Sequence, residues 1–269
     1  MTDKKIFFVI ILFLFLSVFT ENLISDQSVN ETELFVIGTV HESTEAFNSD
    51  TLLNILNEIS PDVILIESDS SYFTSGFKLN DDIREAFLET KAVTEYLKIK
   101  STELRPYDIS GRDEFLDDPK RISTESDFFS EIASLNEKGS FNNEAAGIFT
   151  KISAMINTAN EMSFEKASYI NSSEGSLKID TINYYTYEGL SSLISLTPEL
   201  KSYGNYWKEE CTFWEKRNKV MTENIFKYLK QFTGKRIVVL CGFAHKNILI
   251  NDIDKGKNKK IVLKDFWNK

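Results

Sequence analysis

The sequence is short of the residues from which many sites are built. Its 269 residues include two histidines, two cysteines and eleven glycines. Two cysteines, Cys211 and Cys241, exclude a disulfide framework and a zinc-binding cysteine cluster. Cys241 closes an aliphatic run and Cys211 falls on an apolar helical stripe, so both read as small buried hydrophobes. Basic charge is also in deficit. Against 41 Asp and Glu stand 31 Lys and Arg, for a net charge of -10. Without a local basic patch, that balance argues against a nucleic-acid partner. The apolar fraction of 42% and charged fraction of 27% are ordinary, and the length allows one large α/β domain or two small ones.

The two histidines share one local pattern. Leu34-Phe35-Val36-Ile37-Gly38-Thr39-Val40-His41 and Ile237-Val238-Val239-Leu240-Cys241-Gly242-Phe243-Ala244-His245 each read as a short aliphatic run followed by Gly-x-x-His. Runs of this composition are buried strands of a parallel sheet. Each histidine then lands beyond a strand's carboxyl end, the edge where open α/β sheets bind ligands. At this glycine content, chance places glycine three positions before both histidines in roughly one sequence in six hundred. That favours a functional pair over two isolated core residues, and imidazole suits both proton transfer and metal ligation near neutral pH.

Between the two strands the chain reads in order. The start, Asp3-Lys4-Lys5 followed by the apolar run Ile6 to Phe19, has the make-up of an export signal and is short for a membrane span. It lacks a small-x-small cleavage pattern, so an uncleaved anchor is the alternative. Either way residues 1–30 stand apart from the fold, the rest of the chain is expected outside the cytoplasm, and membrane association through this segment is possible. After His41 a helix opens at Ser49 or Asp50 and stops at Pro61. Asp62 to Glu67 is a second strand ending on a carboxylate, and a right-handed βαβ unit brings Glu67 to the same edge as His41. Asp81 to Lys100 reads as an amphipathic helix with Ile83, Phe87, Val93, Tyr96 and Leu97 inward. Glu103 to Asp108 is a weaker strand confined by Pro106 to an edge or a strand end, with Asp108 at the site edge and Arg112 within reach of it. Residues 114–203 form a helical insertion without repeat or chemical motif. A long helix follows, roughly Tyr206 to Phe232. Its inward stripe of Trp207, Cys211, Trp214, Met221, Ile225, Tyr228 and Phe232 carries Asn218 where an apolar residue is due, with Arg217 on the flank. An inward polar residue must find a partner. Ile261 to Lys264 is a possible last, edge strand.

Four stretches together resemble the TraB/GumN/PrgY group, which includes Tiki-type metalloproteases and is related more distantly to erythromycin esterase-like and ChaN-like proteins. They are Phe35 to His41, Pro61 to Asp69, Glu215 to Met221 and Val238 to His245, in the family's order and at both ends of the chain. The resemblance implies an α/β domain with a mostly parallel sheet built from the N- and C-terminal portions around the insertion. It implies that His41, Glu67, Arg217 and His245 are the catalytic residues. The family's adjacent Asp-Arg is split here into Asp108 and Arg112, which with Asn218 are the candidate substrate-binding residues.

Three functions follow as expectations. The first is a hydrolase of peptide or other small acyl bonds, in which His41, Glu67 and His245 hold a divalent metal ion, manganese or cobalt by the resemblance, and Arg217 steadies an oxyanion or a substrate carboxylate. The second is a metal-independent, esterase-like hydrolase with a histidine general base oriented by Glu67. The third is an exported protein that binds a peptide, haem or metal without turnover.

Overall fold

The computed structural model describes residues 31–268; the expected signal or anchor segment lies outside them. Five strands form one all-parallel sheet: β1 (Thr32–Thr39), β2 (Val63–Ile66), β3 (Glu103–Pro106), β4 (Arg236–Gly242) and β5 (Ile261–Lys264), in the order β3-β2-β4-β1-β5. The split sheet expected from the sequence is therefore present. Its detail is that β4, from the far end of the chain, sits between β1 and β2 and pairs with both. The βαβ unit joins two parallel strands that are not neighbours. Pro106 is tolerated because β3 is an edge strand and Pro106 is its last residue. The weak Ile261–Lys264 run forms the other edge.

The helices, in chain order, are α1 (Ser49–Ile59), α2 (Leu88–Ile99), α3 (Arg112–Leu116), α4 (Pro119–Glu137), α5 (Asn143–Met162), α6 (Ala167–Ile170), α7 (Ser173–Tyr184), α8 (Leu190–Leu196), α9 (Gly204–Gln231) and α10 (Phe243–Gly256). A π-helical turn, Tyr185–Gly189, runs between α7 and α8. Period-two alternation divides the sheet's side chains between two cores. Ile37, Ile64, Ile66, Val238 and Leu240 pack with α1, α2 and part of the insertion. Leu34, Val36, Leu65, Ile237, Val239 and Cys241 pack with α9 and α10. Strands covered on both faces need the unbroken aliphatic composition seen in β2 and β4. A third cluster, around Phe128, Leu193 and Trp207, gives the insertion a core of its own.

The expected helix over Asp81 to Lys100 is shorter than its hydrophobic spacing suggested. It begins at Leu88, after a run of turns, and Phe87 is 45% exposed. The start is set by hydrogen bonding instead. The Phe87 N–H donates to Thr90 Oγ1 at 3.2 Å, and the Leu88 N–H to the His41 carbonyl at 2.9 Å. That second bond ties the start of α2 to the first histidine. Among the described residues no helix is long and apolar enough to cross a membrane.

Candidate active site

Register decides what meets at the carboxyl edge. Thr39 lies opposite Gly242 and Ile66 opposite Leu240, so the residues just after β1, β2 and β4 emerge side by side. His41, Glu67, Arg217 and His245 all line one cleft of about 450 Å³. Its walls are apolar, from Ile66, Ile83, Phe87, Leu116 and Phe243, and Arg112 contributes a cationic flank.

His41 has φ 58, a left-handed backbone that non-glycine residues rarely adopt. It is the centre of a tight turn in which the Glu42 N–H reaches back to the Val40 carbonyl at 2.6 Å. Strain of this kind costs about 1–3 kcal/mol and persists where surrounding bonds impose it. Here the side chain supplies one of them. Nδ1 donates to Glu89 Oε1 at 2.8 Å, and the same oxygen accepts from the Thr39 hydroxyl. The ring lies against Gly242, where a Cβ would stand 2.5 Å from Nε2. That glycine of the second Gly-x-x-His is thus needed by the histidine of the first. Burial works against a charged ring, but the Glu89 bond and the fields of Glu67 and Glu89 outweigh it, raising the His41 pKa to about 9.

His245 is held in the opposite state. It is 4% exposed, in the first turn of α10, with Trp214 stacked on it at a centroid distance of 4.3 Å. Asn218 Nδ2 donates to the Trp214 carbonyl at 2.8 Å, which turns Oδ1 toward His245 Nδ1 at 2.7 Å. A carbonyl oxygen only accepts, so the proton is assigned to Nδ1, leaving Nε2 as a lone pair. Burial pushes this pKa down to about 4. Nε2 stands 3.6 Å from Glu67 Oε1, beyond hydrogen-bond reach.

Glu67 is fixed by two donors, Arg217 Nη2 on Oε1 at 2.5 Å and the Gly242 N–H on Oε2 at 2.6 Å. Burial would raise its pKa; the fields of His245, His41 and Arg217 and the Gly242 bond reverse that and hold it well below the usual carboxylate range. Arg217 in turn grips Asp108, Nε to Oδ1 at 2.9 Å and Nη2 to Oδ2 at 2.7 Å. Asp108 has a side chain with no exposure and Asn218 is 4% exposed, and neither lines the cleft. Their bonds go to Arg217 and His245, behind its wall. Of the three candidate substrate contacts, only Arg112 faces the cleft.

Two participants escaped the sequence reading. Glu89 occupies the same face of α2 as Val93 and Tyr96, and is 5% exposed. A carboxylate on an apolar stripe was the available signal, the same one that exposed Asn218. Asn171 gave none. It accepts from the Gly38 N–H at 2.8 Å and donates to the Gly38 carbonyl at 2.9 Å, completing the stretch of β1 that β5 is too short to cover.

The three expected ligands do not fit a divalent ion as they stand. Both Glu67 oxygens face N–H donors, one of them a guanidinium. His41 spends Nδ1 on Glu89 and, with its pKa raised to about 9, has no lone pair to offer at Nε2. Among the described residues, no group of three His, Cys, Asp or Glu side chains is placed to hold a metal ion. What the arrangement offers is a pair of imidazoles biased to opposite protonation states beside an anchored carboxylate, a combination suited to acid–base chemistry. Comparison with family models, with curated proteins and with solved structures returned no match.

Proposed function

We propose that the protein is a hydrolase of small ester or amide substrates that works by histidine acid–base catalysis. The observation that carries this reading is the Asn218–His245 pair, which fixes the tautomer and leaves an unprotonated Nε2 at the cleft. His245 Nε2 takes a proton from water as the water oxygen attacks the carbonyl carbon and the carbonyl electron pair moves onto oxygen. Glu67, 3.6 Å away, stabilises the imidazolium so formed. When the tetrahedral species collapses, His41 gives its proton to the leaving group. Arg217 and Asp108 keep Glu67 in place. The cleft volume suits a compact acyl compound with an apolar body. An exported setting belongs to the same proposal and rests on the apolar segment Ile6 to Phe19.

The test uses wild type, His41→Ala and His245→Ala against a panel of p-nitrophenyl esters and a quenched peptide library, before and after dialysis against a chelator. Each variant should lose about a hundredfold or more in kcat, and chelation should leave wild-type turnover unchanged. Turnover lost on chelation and restored by manganese or cobalt would favour the metal-dependent peptidase instead. An inert wild-type protein that retains a peptide, haem or metal would favour the binding protein.

A further inference from the structure

Strand order gives the cleft a direction. Along its carboxyl edge the sheet presents Asp108 after β3, Glu67 after β2, Gly242 after β4 and His41 after β1. Glu67, and His245 beside it, therefore stand between His41 at one end of the site and Asp108 at the other. In the reaction proposed above, His41 protonates the leaving group and the attacked carbon lies beside His245. The acyl half of the substrate then extends toward Asp108, away from His41.

Two guanidiniums occupy that end, and both line the cleft. They meet on one oxygen: Arg217 Nη2 donates to Asp108 Oδ2 at 2.7 Å, and Arg112 Nη1 to the same atom at 3.3 Å. Arg217 Nε and Nη2 also hold Asp108 Oδ1 and Glu67, and Arg112 Nε holds Asp113 at 2.8 Å. These bonds fix both planes and use one amino group of each arginine. Among the described residues, no carboxylate or carbonyl is bonded to the other two, Arg217 Nη1 and Arg112 Nη2. A guanidinium cannot shed its charge, so these N–H groups call for acceptors. Asp108 and Asp113 do not line the cleft. Of the charged groups that do, His41 is matched by Glu89 and Arg217 by Glu67, which leaves Arg112 in excess. The cleft is thus cationic at its acyl end, on a chain of net charge -10.

We infer that Arg217 Nη1 and Arg112 Nη2 receive a carboxylate on the acyl half of the substrate, so that the protein hydrolyses monoesters or monoamides of small dicarboxylic acids. A carboxylate has two oxygens and takes one N–H from each arginine. Ile66, Ile83 and Leu116 give the intervening methylenes an apolar wall. Of the two roles expected of Arg217, oxyanion support and carboxylate binding, this assigns the second and makes Arg112 the residue that sets specificity. The inference rests on the hydrolase reading and names its substrate class.

The test compares the mono-p-nitrophenyl esters of glutaric, adipic and pimelic acid with the same esters capped by methyl on the free carboxyl, all rates corrected for spontaneous hydrolysis. At the best-fitting length, wild type should favour the free acid by about tenfold to a hundredfold in kcat/KM, the worth of hydrogen bonds to a charged group. The difference should lie mainly in KM, because the carboxylate is bound alike before and during reaction. Arg112→Gln should bring acid and capped ester close to parity. Arg112→Lys keeps a charge but has no second amino group, so it should retain only part of the preference; it decides the matter if the glutamine variant does not fold. A wild type that treats the two esters alike at every length, or a preference left undiminished by these substitutions, would overturn the assignment. The hydrolase reading fails separately, when wild type is no faster than His245→Ala on any of these esters. Calorimetry of monomethyl and dimethyl adipate on His245→Ala then judges the receptor alone. Tighter binding of the monoacid, lost when Arg112→Gln is added, supports it; equal binding, or a margin that survives the second substitution, sinks it.

Discussion

Gly242→Ala tests the most unusual contact in the site. Nothing in the local backbone opposes it, since φ -54 and ψ 140 suit any residue. The obstacle is the other end of the sheet's sequence: the added methyl would stand 2.5 Å from His41 Nε2 and 3.1 Å from Cε1. The His41 backbone has little room to yield, being held in its turn and bonded through its carbonyl to Leu88. The ring must therefore rotate into the cleft, which is open to it because the side chain is 49% exposed, and the bond to Glu89 breaks. A His41 pKa raised from 6.5 to about 9 corresponds to ~3 kcal/mol of favourable interaction at full strength. Half exposure to water reduces this to about 1–2 kcal/mol, or a Tm lower by roughly 3–6 °C for a chain of this size. Because the folded-state pKa is the higher one, the stabilisation is complete below about 6.5 and fades as pH rises through about 9. The difference in Tm between wild type and variant should follow that course. Proton NMR reads the ring directly, and with only two histidines His245→Ala assigns the signals. The His41 midpoint should fall from about 9 toward 6.5. A variant with an unmoved His41 titration and an unmoved Tm would refute the packing of one Gly-x-x-His motif against the other.

Two further outcomes follow from bonds outside the expected site. Glu89→Gln keeps the shape of the His41 partner and removes its charge, so the alkaline limb of the kcat profile should move to lower pH while KM changes little; a merely structural glutamate would leave the profile in place. Asn171→Ala strips from both polar groups of the buried Gly38 backbone the side-chain partner they have among the described residues, and urea unfolding should show a loss of about 2–4 kcal/mol.

What was legible from the sequence is what short-range pattern encodes. The β4 run of Ile237 to Leu240 has one reading as a buried strand, and a histidine just beyond such a strand lands at the sheet's carboxyl edge whatever the strand order. That is why His41, Glu67 and His245 could be brought together without knowing that β4 lies between β1 and β2. Asn218 was legible because an amide interrupts an otherwise apolar stripe. The start of α2 was not, because it is fixed by the His41 carbonyl, 47 positions earlier in the chain than Leu88. Asn171 was invisible for the same reason on a larger scale, its partner being 133 residues away. Periodicity records which face a residue presents to the core and carries no record of which distant amide awaits it there.

The insertion therefore does more than overhang the cleft. Asn171, at the end of α6, holds Gly38 three residues before His41, and Asn183 on α7 donates to the Ala244 carbonyl at 2.8 Å, next to His245. The π-helical turn that follows shifts the helix register by one residue and sets Tyr187 in a stack on Trp214, at a centroid distance of 4.9 Å. Trp214 in turn covers His245. Trp207 donates its indole N–H to the Tyr187 carbonyl at 3.2 Å and is buried in the insertion's own core. The insertion thus reaches each histidine at one remove, through Gly38 for His41 and through Ala244 and Trp214 for His245. The sheet edge supplies their proximity, which topology alone guarantees. Their opposite protonation states require more, because a His245 freed from Trp214 and Asn218 on α9 would lose both its burial and its tautomer. The bias on the two imidazoles itself comes from Glu89 on α2 and from Asn218 and Trp214 on α9, and the insertion braces Trp214 from behind.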